Sequence, residues 1–153
     1  WKWSPDGNST VRNFQLQGEY FKRREDGTLA SNSAAGACAL GCAADYNSDQ
    51  SGWYVQGIYQ FMPRWRAGVR HDALKSGTVD IGLVNSGTLS LADFPQLAAH
   101  DPKRNTAMLD YSPSEFTRFR LQFARDKSGL GETDNQLFLQ YIFSLGAHGA
   151  HAF

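Results

Sequence analysis

The sequence predicts an all-β fold, an antiparallel up-and-down meander of about six to seven strands. Two observations lead there. Apolar and polar residues alternate in several stretches, the signature of strands whose side chains point to opposite faces. Pro, Gly, Asn and Ser clusters separate the stretches, and the connections run short, long, short, long, short, medium.

The elements follow in order. Trp1 and Trp3 flank Lys2, and the SPDGN run then makes a tight turn. From Asn13 to Arg23, Phe14, Leu16, Gly18 and Tyr20 share one face, while Gln15, Gln17, Glu19 and Phe21 share the other. A polar, small-residue segment from about Arg24 to Gln50 reads as a long loop. Gly52 to Phe61 is a full strand, with Trp53, Val55, Tyr59 and Phe61 opposite Tyr54, Gln56, Ile58 and Gln60. Met62-Pro63-Arg64 is a short turn, suited to a residue that cannot donate to a ladder. Trp65, Ala67, Val69 and His71 then alternate with Arg66, Gly68, Arg70 and Asp72.

Ala73 to Asn105 reads as a second long loop, with LSLADFPQLAAHD as a local helical turn. Thr106 to Tyr111 is a short strand, and Ser112-Pro113-Ser114 is the next turn. Phe116 to Arg125 sets Phe119, Leu121 and Phe123 against Arg118, Arg120, Gln122 and Ala124. DKSGLGET then leads to a closing strand, Asp134 to Phe153, with Leu137, Leu139, Tyr141, Phe143 and Leu145 on one face. That stretch is about twice the 9–11 residues of a membrane-crossing strand. Pairing from the DKSGLGET hairpin brings it to the sheet rim near Ser144, with GAHGAHAF overhanging.

A soluble up-and-down barrel turns its apolar face inward, and a membrane barrel turns it outward. Three features favour the outward face. Short turns and long loops segregate to opposite ends. Trp53, Phe61, Trp65, Tyr111, Tyr20 and Phe143 mark strand ends as interfacial girdles do. The polar face mixes Gln, Arg, Glu and Tyr with few Lys. The expectation is therefore part of a transmembrane β-barrel. Because barrels of this kind have at least about eight strands, the chain is expected to be an incomplete barrel segment whose N-terminal strands and any plug lie upstream. The WKW start, with no Met-led export signal, agrees with that. The formal net charge is zero, so no global field draws nucleic acid.

On the proposed lumen face, Arg66, Arg70, Asp110, Arg118, Arg120, Gln122 and Gln140 are the solute-facing candidates. Two roles stand open: a basic strip that attracts anions, or an Arg–Asp lattice that neutralises charge and stiffens the wall. Cys38 and Cys42 form C-x3-C, read first as a disulfide of an exported protein and second as a metal pair. His148 and His151 are weak metal candidates, since i and i+3 face opposite ways in a strand. No P-loop, dinucleotide, G-x-S-x-G or H-x-x-E-H motif occurs, so neither an enzyme nor a cofactor is expected.

The segments GWYVQGIYQFMPRWRAGVRHD, DYSPSEFTRFRLQFARD and DNQLFLQYIFSLGAHGAHAF, ending on Phe153, resemble the C-terminal portion of Gram-negative outer-membrane β-barrels of the porin or TonB-dependent receptor kind. The GAHGAHAF ending is similar to that of some receptors linked to zinc uptake. The resemblance implies a bacterial outer-membrane location and solute transport, passive or TonB-coupled. It implies as partners the membrane lipid, the missing part of the same barrel, the TonB system and the barrel-assembly machinery. The alternatives are a structural or ligand-binding barrel with extracellular binding loops, and a soluble lipocalin-like binding barrel.

Overall fold

The computed structural model describes residues 1–32 and 38–145. It is a single antiparallel sheet of seven strands in sequence order, with little helix. The strands are β1 (Lys2–Trp3), β2 (Asn13–Ser31), β3 (Cys42–Met62), β4 (Trp65–Ile81), β5 (Lys103–Ser114), β6 (Thr117–Lys127) and β7 (Asp134–Phe143). Among the described residues the sheet is open, with β1 and β7 at its edges.

The meander is as expected, but several boundaries move. Arg24–Ser31 and Cys42–Gln50 are strand, as are Ala73–Ile81 and Lys103–Asn105, while 82–102 remains a connection with short helical turns. β2, β3 and β4 run for 19, 21 and 17 residues, about twice the stretches that alternate. The missing signal has a physical cause. Period two appears only where one face is apolar, whereas the ladder itself needs only backbone N–H and C=O groups. LSLADFPQLAAHD holds two 3₁₀ turns, Leu91–Asp93 and Pro95–Leu97, and a one-turn helix α1 (Gly82–Asn85) precedes them.

The turn expected at Ser112-Pro113-Ser114 falls instead at Glu115 and Phe116, with β5 continuing through Pro113. The Ser114 hydroxyl accepts the Phe116 N–H at 3.3 Å and meets the Thr117 hydroxyl at 2.7 Å, so the serine organises the corner after the proline. β7 ends at Phe143, not Phe153. Thr117 opposite Phe143 is its last register pair, and the Ser144 N–H donates to the Phe116 carbonyl at 2.9 Å. The rim thus lies at Ser144. Phe153, His148 and His151 fall outside the described residues.

The chain divides into two compact units. The first comprises Trp1–Gly18, Tyr54–Asp72 and Arg104–Phe153. Its two faces differ sharply. In the β6–β7 register Phe123 faces Leu137, Leu121 faces Leu139 and Phe119 faces Tyr141. All six are exposed, Leu137 at 71% and Leu139 at 81%. The opposite face holds Arg118, Arg120, Gln122 and Ala124 on β6, none of them exposed, and Phe138, Gln140 and Ile142 on the edge strand β7, all exposed. The alternation recurs on β3, where Val55 and Tyr59 are exposed and Gln56, Ile58 and Gln60 are sheltered. Ala124, Asp110 and Asp126 are buried in this unit.

The second unit comprises Glu19–Trp53 and Ala73–Lys103. Its buried residues are of the ordinary kind: Ile81 and Leu83 at 3%, with Cys38, Ala73 and Ser48. Gly77 has φ +59°, and a side chain there would run into the Asp49 carbonyl, so β4 passes β3 where only glycine fits. Ser76 donates its N–H to Asp101 at 3.2 Å, and the Leu74 N–H donates to the Pro102 carbonyl at 2.9 Å.

Candidate functional site

The site is built on the sheltered polar face of the first unit. Asp110, midway along β5, is fully buried. Neighbouring strands bring guanidinium groups to it, β4 supplying Arg66 and β6 supplying Arg118 and Arg120. Arg120 takes the carboxylate in a forked grip, Nε donating to Oδ1 at 2.7 Å and Nη2 to Oδ2 at 3.0 Å. Arg66 makes one longer contact, Nη2 to Oδ2 at 3.4 Å. Arg118 Nε lies 3.9 Å from Oδ2, buried and with no hydrogen-bond partner among the described residues. One carboxylate thus faces three cations. Burying it without them would be costly, and their number exceeds what neutrality requires.

Arg70 belongs to a separate cluster. Its Nε and Nη2 donate to Asp72 at 2.6–3.0 Å, and its Cζ sits 3.8 Å over the Tyr54 ring. Gln140 stands opposite Arg120 and Gln122 opposite Phe138, on the same face as the cluster. Further along that face Arg104 meets Asp126 at 3.7 Å and donates to Gln136 at 3.1 Å. Gln17 and Gln56 bond to each other, and Asn13 donates to Gln60 at 3.2 Å. The face is therefore a polar lattice, with Arg66, Arg118 and Arg120 drawn to Asp110 and Arg70 held apart.

The short-turn end of this face holds a cavity of about 430 Å³ lined by Arg64, Arg66 and Arg118, with Ser112, Ser114 and Thr117 among the hydroxyls and Glu115 as its carboxylate. Arg64 was not among the sequence candidates. Pro63 and Arg64 form the β3–β4 corner, and Arg64 has φ +72°, the left-handed value a type II turn needs at its third residue. The Ser112 N–H donates to the Arg64 carbonyl at 2.8 Å, which ties the corner to β5. The signal available in sequence was the R-W-R spacing, which sets Arg64 in the corner two residues before Arg66 at the start of β4.

Cys38 and Cys42 are joined as a disulfide with Cα atoms 5.1 Å apart, in the second unit. That unit has a second cavity, of about 440 Å³, lined by Phe21, Tyr46, Leu74, Val79 and Leu97, with Arg23 and Lys75 among its charged groups. Among the described residues no three His, Cys, Asp or Glu side chains gather as a metal site. His71 Nδ1 pairs with the Asn105 side-chain oxygen at 2.7 Å.

No family model matches the chain. No solved structure matches it either. It is 28% identical over 148 residues to a protein of Aquifex aeolicus (strain VF5) whose description reads "Uncharacterized protein". The match takes in 94% of this chain, which spans 28% of that relative's length.

Proposed function

We propose that this chain is a wall segment of a Gram-negative outer-membrane β-barrel, part of a passive or TonB-coupled route for solute uptake. The observation that carries this reading is the inverted polarity of the first unit: leucine and phenylalanine exposed, arginine and aspartate sheltered. A soluble barrel would bury those leucines. In a lipid bilayer they meet hydrocarbon, and the polar face meets water in the lumen.

Three further features support it. β6 and β7 have 11 and 10 residues, close to the ~9–11 that cross a bilayer. Near the short turns, Trp65 packs on Tyr111 at 4.7 Å between ring centroids and Phe119 on Tyr141 at 5.0 Å, as an interfacial girdle would. Among the described residues the outer edge of β7 is unpaired, and β7 is long and apolar, a hazard unless another strand covers it, as further strands of the same barrel would.

Fractionation of cells making the whole protein tests the proposal. It should sediment with outer membranes and need detergent for release. Recovery in the soluble fraction without detergent would contradict it. A second reading, a barrel that binds an external ligand through its longer hairpins, draws on the apolar cavity of the second unit.

A further inference from the structure

We infer that the cavity at the short-turn end of the polar face is an oxyanion site that takes a phosphate-bearing solute. Its position at a lumen mouth rests on the wall reading; its chemistry does not.

The charge arithmetic comes first. Asp110 receives its well-formed bonds from Arg120, which faces it with both Nε and Nη2. That pair neutralises itself. Arg66 and Arg118 reach the same carboxylate only at 3.4 and 3.9 Å, and the buried Arg118 Nε makes no hydrogen bond to any described residue. Both side chains line the cavity together with Arg64. Against these three cations the cavity wall holds one carboxylate, Glu115. The local excess is thus positive, in a chain whose formal net charge is zero.

Geometry selects the anion. A guanidinium presents N–H donors in a planar fork that matches two phosphate oxygens, and two or three such forks suit a dianion better than a single carboxylate. Ser112 and the mutually bonded Ser114–Thr117 pair, one of whose protons joins the two oxygens and the other of which is free to donate, add hydroxyl donors to the same wall. The topology brings these groups together for a reason. The β3–β4 and β5–β6 corners are both tight and lie at the same end of the meander, and the Ser112–Arg64 backbone bond fixes one against the other. The cavity, at about 430 Å³, has room for a phosphorylated small molecule.

The test is calorimetric titration of the full chain in detergent micelles with inorganic phosphate, then glycerol 3-phosphate, against acetate at matched ionic strength. Saturable phosphate binding, tighter than acetate, is expected. R66A/R118A should weaken it by about tenfold or more, and R66K/R118K should restore part of the loss. R64A lies in the turn, away from Asp110, and should weaken binding by about threefold even if the double variant folds poorly. Phosphate held no tighter than acetate, or equally by the wild type and R64A, would overturn the site. Phosphatidylglycerol that co-purifies and that phosphate fails to displace would assign the cavity to a lipid headgroup, and so overturn the solute. The wall reading fails separately: a protein that binds phosphate but fractionates as soluble keeps the site and loses the membrane.

Discussion

The two units solve the same problem, covering a sheet, with opposite chemistry. In the second unit Ile81 and Leu83 are buried, as in an ordinary protein in water. In the first, Asp110 and Asp126 are buried while leucines, phenylalanines and Tyr141 are exposed along β6 and β7. β2, β3 and β4 contribute residues to both units.

Substitutions can break this contrast, the largest expected effect first. Asp110→Ala leaves the Arg66, Arg118 and Arg120 cations crowded around an empty place. Removing one partner of a buried ionic cluster destabilises by about 3–5 kcal/mol. Heat-modifiable migration in detergent should reveal the loss of the folded band. Leu139→Arg puts a cation on the exposed apolar face and should destabilise a lipid-facing strand by about 2–4 kcal/mol near mid-bilayer. Leu91→Arg, also at an exposed leucine but in the second unit, should change stability by less than about 0.5 kcal/mol. Equal effects of the two in urea titrations from lipid would erase the distinction between the units.

Leu83→Ala acts on the ordinary core. It should cost about 2–3 kcal/mol of local stability, read as faster amide exchange within the second unit while β6 and β7 stay protected. Reduction of Cys38–Cys42 closes off a smaller contribution, about 2 kcal/mol, because the bridged loop is short. Limited proteolysis with and without reductant measures it.

The smallest effect is a pH dependence. The Ser90 N–H and hydroxyl both donate to Asp93 at 2.8 Å and hold its carboxyl below the ordinary 3.8. Its folded value is depressed, so the stabilisation is present above 3.8 and fades as pH falls through the folded value. The 3₁₀ turns at Leu91–Leu97 should fray in acid, and Ser90→Ala should shift the onset toward higher pH. Amide exchange of Asp93 and Phe94 across the acid range would show it.

The parts of the fold legible in sequence are those where burial is one-sided. Gly52–Phe61 and Phe116–Arg125 carry a clean alternation, and both are strand apart from Phe116, which falls in the turn. Cys42–Ser51 and Ala73–Ile81 are strands too, but neither holds a continuous apolar face, so nothing periodic marked them. The grouping of Arg66, Arg118 and Arg120 on one face followed from period two alone, with Asp110 placed between them. Which arginine would grip Asp110, and which would be left over, depended on strand register and on the position of the β5–β6 corner. A proline at 113 pointed to the wrong corner, because the hydroxyl of Ser114, not the ring of Pro113, holds the turn.

The central claim, that the Leu137–Leu139–Tyr141 face meets lipid, has a direct measurement. Single cysteines at Leu121, Leu139, Gln122 and Gln140, each carrying a nitroxide in protein reconstituted into bilayers, report collisions with oxygen and with a water-soluble nickel chelate. Labels at Leu121 and Leu139 should favour oxygen, and labels at Gln122 and Gln140 should favour the chelate. A chelate preference at all four positions would contradict the account.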